Sequence, residues 1–158
     1  MISLNMILNI RITFKIMGNS ASITKVNFED VQNCIEDNNS VIINVMSSHD
    51  QGCLIKNTMD IVDEVHLLNE YLERGDKNVT IILYGKHTND MKVYDKYNQL
   101  IQLGFTNVGI YIGGLFEWML MQDIYGNENF PTTTSELDIL KFKPPKVLFI
   151  KRLHDNNR

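Results

Sequence analysis

The sequence predicts an α/β domain of three layers, with a central, mostly parallel sheet of about five strands and helices on both faces. Three observations carry that expectation. Short β-branched runs alternate with amphipathic stretches at helical spacing, the order that sandwiches a parallel sheet between helices. The run Val79–Tyr84 is almost continuously apolar, as in a strand covered on both faces. Gly75 and Gly104 follow two of the helical stretches at the positions where helices commonly stop.

The first 22 residues read as an extension. Ile10, Ile12, Phe14 and Ile16 alternate with Arg11, Thr13 and Lys15, a period-two strand pattern. Asn5, Asn9, Arg11 and Lys15 interrupt the apolar run, which excludes a membrane-spanning helix and a convincing signal peptide. No acidic residue precedes Glu29, so a poor mitochondrial presequence competes with the preferred reading of a dispensable extension. Met17–Ser22 matches the M-G-x-x-x-[ST] pattern of N-myristoylation, which makes Gly18 the lipidation site if translation starts at Met17.

A domain over residues 23–125 follows. Ile23–Val26 is a short strand, and Asn27–Asp37 a helix with Asn27 as N-cap. Phe28, Val31, Cys34 and Ile35 share one face of it, which makes Cys34 a core thiol. Val41–Met46 is a second strand and Ser47–Met59 a loop, within which Leu54–Thr58 supplies the short fifth strand. Asp60–Arg74 is an amphipathic helix with Ile61, Val65, Leu68 and Leu72 on its apolar face. Val79–Tyr84 is the central strand, followed by the loop Gly85–Asp90 and the helix Met91–Leu103, whose inner face carries Val93, Tyr97, Leu100 and Ile101. Val108–Ile112 is a further strand, closed by Gly113 and Gly114. Leu115–Tyr125 is apolar around much of its circumference: a buried helix is the simpler reading, a partner-docking surface the sharper one. Residues 126–158 form an arm and tail, in which Leu137, Ile139, Leu140 and Phe142 are expected to clamp the body, Lys146–Lys151 to form a strand, and His154–Arg158 a loose polar end.

Composition narrows the function classes. The 158 residues suit one domain, and a net charge of −4 argues against a nucleic-acid binder. Two cysteines, Cys34 and Cys53, cannot make a disulfide framework and fit a reducing compartment. No CxxC pair or tight His/Cys cluster points to a metal, and nothing implies a cofactor. In α/β proteins ligands gather beyond the carboxyl end of the central strands, where helix amides hold anions. Any chemistry is therefore expected at Gly85, Lys86, His87, Thr88, Asn89 and Asp90, with Asn89 or Asp90 capping the next helix.

The stretch from Ile23 to Tyr125 resembles a rhodanese-like domain. In that family a strand ends in a reactive cysteine, a loop runs Cys-x-x-Gly-x-Arg-Ser, and a helix follows. Here the matching residues are Gly85-Lys86-His87-Thr88-Asn89-Asp90-Met91. The family's Gly-Gly-x-x-x-Trp stands as Gly113, Gly114 and Trp118, preceded by Gly-Phe-x-x-Val at residues 104–108. Val41–Val45 followed by Cys53–Thr58 is similar to an earlier strand and a degenerate His-Ile-Pro-Gly-Ala turn. Family sulfurtransferases carry sulfur as a persulfide on the loop cysteine, and related phosphatases need the same cysteine and arginine. Gly85 offers no nucleophile, and Asp90 stands where the family often has arginine, so that its charge opposes a thiolate, persulfide or phosphate.

The resemblance thus implies an inactive rhodanese-like module with no catalytic residue, acting in the cytoplasm in protein binding or regulation through a protein partner. The alternative is an unconventional sulfurtransferase or small-anion binder using Cys53 or the Lys86/His87 loop. A myristoyl chain on Gly18 would add only reversible membrane contact, with a binding constant on the order of 10⁴ M⁻¹.

Overall fold

A computed structural model of the chain describes residues 22–148. Its centre is a parallel sheet of four strands in the order β1-β4-β3-β2. These are β1 at Lys25–Val26, β2 at Ser40–Asn44, β3 at Thr80–Tyr84 and β4 at Val108–Tyr111. Ile82 sits between Ile42 on one neighbour and Gly109 on the other. Ile81, Ile82, Leu83 and Tyr84 are each 2% exposed or less, as an interior strand without a polar face requires.

The alternation of side chains along β3 sorts the helices into two layers. Ile82 and Tyr84 face one side, with Ile42 and Tyr111, and meet α1 (Phe28–Glu36) and α4 (Gly114–Tyr125). Ile81 and Leu83 face the other, with Val41, Ile43 and Ile110, and meet α2 (Glu64–Arg74) and α3 (Lys92–Leu103). Asn27 caps α1 in a capping box, its Oδ1 accepting from Asp30 N–H while Asp30 accepts from Asn27 N–H. α3 ends at Gly104, which has φ +98°, and Phe105 folds back into the core behind it, its N–H donating to Leu100.

Several expectations need correction. The sheet has four strands among the described residues, because Leu54–Thr58 curls instead of extending. Asn57 takes a left-handed φ of 62°, Thr58 N–H returns to Ile55, and Ile55 N–H goes to the Tyr84 hydroxyl. Only isolated bridges remain there, Ile42 to Thr58 and Ile55 to Thr132. The second helix starts at Glu64, since Asp60 accepts from Val62 N–H and holds a turn ahead of it. Ile61 and Val65 are consequently nearly half exposed, and Ile101 on α3 is also exposed. α4 buries Leu115, Trp118 and Met119 but leaves Leu120, Ile124 and Tyr125 in solvent, so it is a core helix on one face only.

The arm clamps the body through different residues from those expected. Phe130 is buried against Trp118, Phe142 is buried in the same cluster and Ile139 packs against it, whereas Leu137 and Leu140 are exposed. Trp118 lies edge-on to Phe130 at 4.9 Å and to Tyr111 at 6.2 Å, and its indole N–H donates to Pro131 O. Residues 146–148 contain no strand, and the rest of that expected strand, like Met17, Gly18 and the polar tail, lies outside the described residues. Among the described residues no helix is long and apolar enough to cross a membrane.

Phe142→Ala is expected to lower stability by about 3–5 kcal/mol, the cost of emptying a buried aromatic site. Leu137→Ala should change it by no more than about 0.5 kcal/mol. Urea melts of the two variants check whether the arm belongs to the folding unit.

Candidate functional site

β3 delivers the chain to Gly85, and α3 takes it away after Asp90. Between them the loop bonds to itself. Met91, at the helix boundary, offers no capping side chain. Asp90 supplies it instead, Oδ1 accepting from Lys92 N–H at 3.3 Å. Its other oxygen, Oδ2, accepts from Lys86 N–H at 3.1 Å. Asn89 N–H donates to His87 Nδ1 and Asp90 N–H to His87 O. One carboxylate thus ties the beginning of the loop to the beginning of the helix.

That tie stands directly over Gly85. A Cβ at residue 85 would lie 2.7 Å from Asp90 Oδ2 and 2.8 Å from Asp90 Cβ, closer than such contacts allow. From the other side the start of α4 is pressed onto the loop. Leu115 N–H donates to Gly85 O and Phe116 N–H to Lys86 O, both at 3.0 Å. Gly114 makes this possible: it has φ +64°, and a Cβ there would lie 2.6 Å from Gly85 O. Of the family-like Gly113, Gly114 and Trp118, the second therefore shapes the loop, while Trp118 belongs to the core.

The charges at the loop are already partnered. Lys86 Nζ reaches Asp50 Oδ1 at 3.1 Å and lies 5.8 Å from the centre of the Phe142 ring. Desolvation opposes ionisation of Asp50, but hydrogen bonds from Lys86 and Ser47 outweigh it and hold the carboxyl below its ordinary value of 3.8. An open cleft of about 460 Å³ lies alongside, lined by Lys86, His87, Asp90, Lys92, Asp50 and Asp95 among others. Lys86 is bound to Asp50, and Asp90 and Asp95 line the cleft together with Lys92.

Cys53 lies apart from this cleft. It is 4% exposed, and its thiol donates to Thr134 O at 3.5 Å. The arm secures the loop around it: Lys56 N–H donates to Pro131 O, Thr133 N–H to Leu54 O, and the Thr134 hydroxyl to Gly52 O. Cys34 is also buried, and burial pushes its thiol up. Asp50 and the Tyr84 hydroxyl, which joins Ile55 N–H and Thr58 to the end of β3, are the contributors that sequence reasoning missed. Lys86 and Asp50 are 36 residues apart with no periodic relation, so no local signal could have paired them. Among the described residues no group of three His, Cys, Asp or Glu side chains converges as a metal site.

A family model described as the rhodanese-like domain matches residues 27–121. No curated protein matches the chain significantly. The solution structure of the rhodanese-like domain of the Alr3790 protein from Anabaena sp. is 20% identical, with a TM-score of 0.52 over 78% of this chain and 86% of that one. A crystal structure of the same Anabaena protein is 20% identical, with a TM-score of 0.51 over 73% of this chain and 97% of that one. Ygr203w, a yeast protein tyrosine phosphatase of the rhodanese family, is 13% identical, with a TM-score of 0.50 over 73% of this chain and 94% of that one. At these identities the likeness is one of fold.

Two outcomes are expected of the loop. Gly85→Ala should cost about 1–3 kcal/mol through its clash with Asp90. In an Asp90→Gly background that penalty should shrink by about 1 kcal/mol or more, a coupling read from a double-mutant cycle of urea melts. Asp50, depressed in the folded state, stabilises the fold above its ordinary 3.8 and loses that contribution as pH falls through the lowered value. The stability difference between wild type and Asp50→Asn should therefore be present at about pH 7 and vanish towards about pH 2.

Proposed function

This chain belongs to the rhodanese-like domain family, and from that premise we propose that it is a catalytically inactive member acting in protein binding or regulation. The observation that carries the reading is the position of Asp90 over Gly85. Sulfur transfer on this scaffold begins with a thiolate at the end of the central strand, and residue 85 has no side chain to supply one. The Lys86 amide, which points where an anion bound by the loop would lie, already holds a carboxylate. A bound oxyanion would have to displace that carboxylate and tolerate its charge nearby. Phosphoryl transfer, the activity named for the yeast neighbour, meets the same two obstacles.

The alternative chemistry has less support. Cys53 would need to leave its buried position behind residues 131–134 to act as a nucleophile, and Lys86 would need to leave Asp50 to receive an anion. Two free, buried cysteines suit a reducing, cytoplasmic setting. What remains is a well-packed scaffold whose reactive position is filled by its own side chain, and its surfaces are then its means of action.

A thiosulfate:cyanide sulfurtransferase assay tests this. Wild type and Cys53→Ser are both expected at background. Gly85→Cys should stay there as well, because Asp90 still occupies the space and carries the opposing charge. Turnover by the wild type that Cys53→Ser abolishes would overturn the reading, and robust turnover by Gly85→Cys would remove the argument from Asp90.

A further inference from the structure

The outer surface of the α1/α4 layer carries a groove that neither the loop chemistry nor the core requires. At one end Phe28, Met121, Tyr125 and Phe130 line an apolar recess of about 300 Å³. At the other, Ile35, Glu36, Glu128 and Pro131 line a cleft of about 260 Å³ that holds two carboxylates. Gln32 and Asn129 border both, and Gln32 Nε2 donates to Asn129 O at 2.7 Å to form the floor between them. Phe28, Gln32 and Glu36 follow one another at four-residue spacing, so recess and carboxylates lie two helical turns apart, about 11–12 Å. Ile124, 69% exposed, and Leu120, 41% exposed, extend the apolar surface along α4.

The helices and turn that wall the groove carry charge of one sign; Lys56, whose N–H donates to Pro131 O, borders the cleft from another element. The chain has no lysine or arginine between Lys25 and Lys56, and none between Lys96 and Lys141. Those two stretches supply all of α1, all of α4 and the turn at residues 126–131. Glu29, Asp30, Glu36, Glu117, Asp123 and Glu128 are exposed there, and no cation from those elements offsets them. Arg74, Lys92 and Lys96 stand on the α2/α3 layer instead. Among the described helices the charge is thus unevenly placed, and α1 and α4 are the more negative pair.

We propose that this groove docks a segment of a partner protein that carries an apolar side chain followed, two helical turns on, by lysine or arginine. The recess takes the apolar anchor, and the Glu36/Glu128 cleft takes the cation. The surrounding carboxylates steer a basic segment in and repel nucleic acid and anionic membrane. The inference rests on the protein-binding part of the function proposed above and not on the loss of catalysis. Peptide binding and sulfur transfer are read separately, so either can fail alone.

The test titrates the full chain against a fluorescein-labelled helical peptide bearing one phenylalanine and an Arg-Arg pair two turns later, followed by anisotropy. Saturable binding is expected, weakened by 0.3 M salt. Replacing the peptide's phenylalanine by serine, or introducing Glu36→Lys with Glu128→Lys into the protein, should each weaken it about tenfold or more. The matched reversal Glu70→Lys with Glu73→Lys on α2 should leave it within about twofold. Circular dichroism melts verify that both protein variants fold. Equal losses from the two reversals, or indifference to the phenylalanine, would reduce the effect to net charge and overturn the proposal. So would displacement of the probe by a second copy of the chain, or by a peptide of residues 1–21 at the same concentration as unlabelled probe.

Discussion

Strand β3 has no face to offer water, and that constraint orders the rest of the molecule. Ile81, Ile82, Leu83 and Tyr84 are paired on both edges and covered on both sides, so the chain can return to solvent only towards its ends. Even the last residue is committed inward: Tyr84 is fully buried, its hydroxyl satisfies Ile55 N–H, and burial pushes that hydroxyl far above its ordinary pKa. The loop at Gly85–Asp90 is where the central strand first meets solvent. Its shape is set by what crowds it, with α4 against its carbonyls and Asp90 above its first residue.

Gly85 and Asp90 are best understood as one feature. The missing side chain at residue 85 leaves a space, and the Asp90 carboxylate fills it while bonding the amides at both ends of the loop. Either residue alone would be awkward: a side chain at 85 has nowhere to go, and without the carboxylate the amides of Lys86 and Lys92 lose their acceptor. The acceptor for the loop's Lys86 amide is built into the chain itself. A loop held at both ends by one carboxylate is the physical result.

Much of this was legible in the sequence wherever the signal was local. The β-branched run of β3, the helical spacing of Val93, Tyr97 and Leu100, the Asn27 cap and the stops at Gly75 and Gly104 all depend on near neighbours. So does the location of the loop. What stayed hidden depends on residues far apart. Leu54–Thr58 has strand-like composition, but its backbone bonds go to Tyr84 and the arm, and a left-handed Asn57 bends it away from the sheet. The Lys86–Asp50 pair and the choice of Phe130 and Phe142 over Leu137 and Leu140 as clamps are likewise tertiary facts. The apolar circumference of α4 pointed to a docking surface, but the groove itself stayed hidden because its walls come from α1, α4 and the turn after α4 together.

The hydrogen bond from Trp118 to Pro131 bears on where the domain ends. The family resemblance stops at residue 121, yet the indole N–H finds its acceptor ten residues later, and an aromatic wall beside it is Phe130. The same short segment closes over Cys53 and gives Leu54 and Lys56 their backbone partners. A unit of kinship and a unit of folding therefore have different lengths here. A chain ended at the limit of resemblance would keep every motif and lose the wall that dries its only tryptophan.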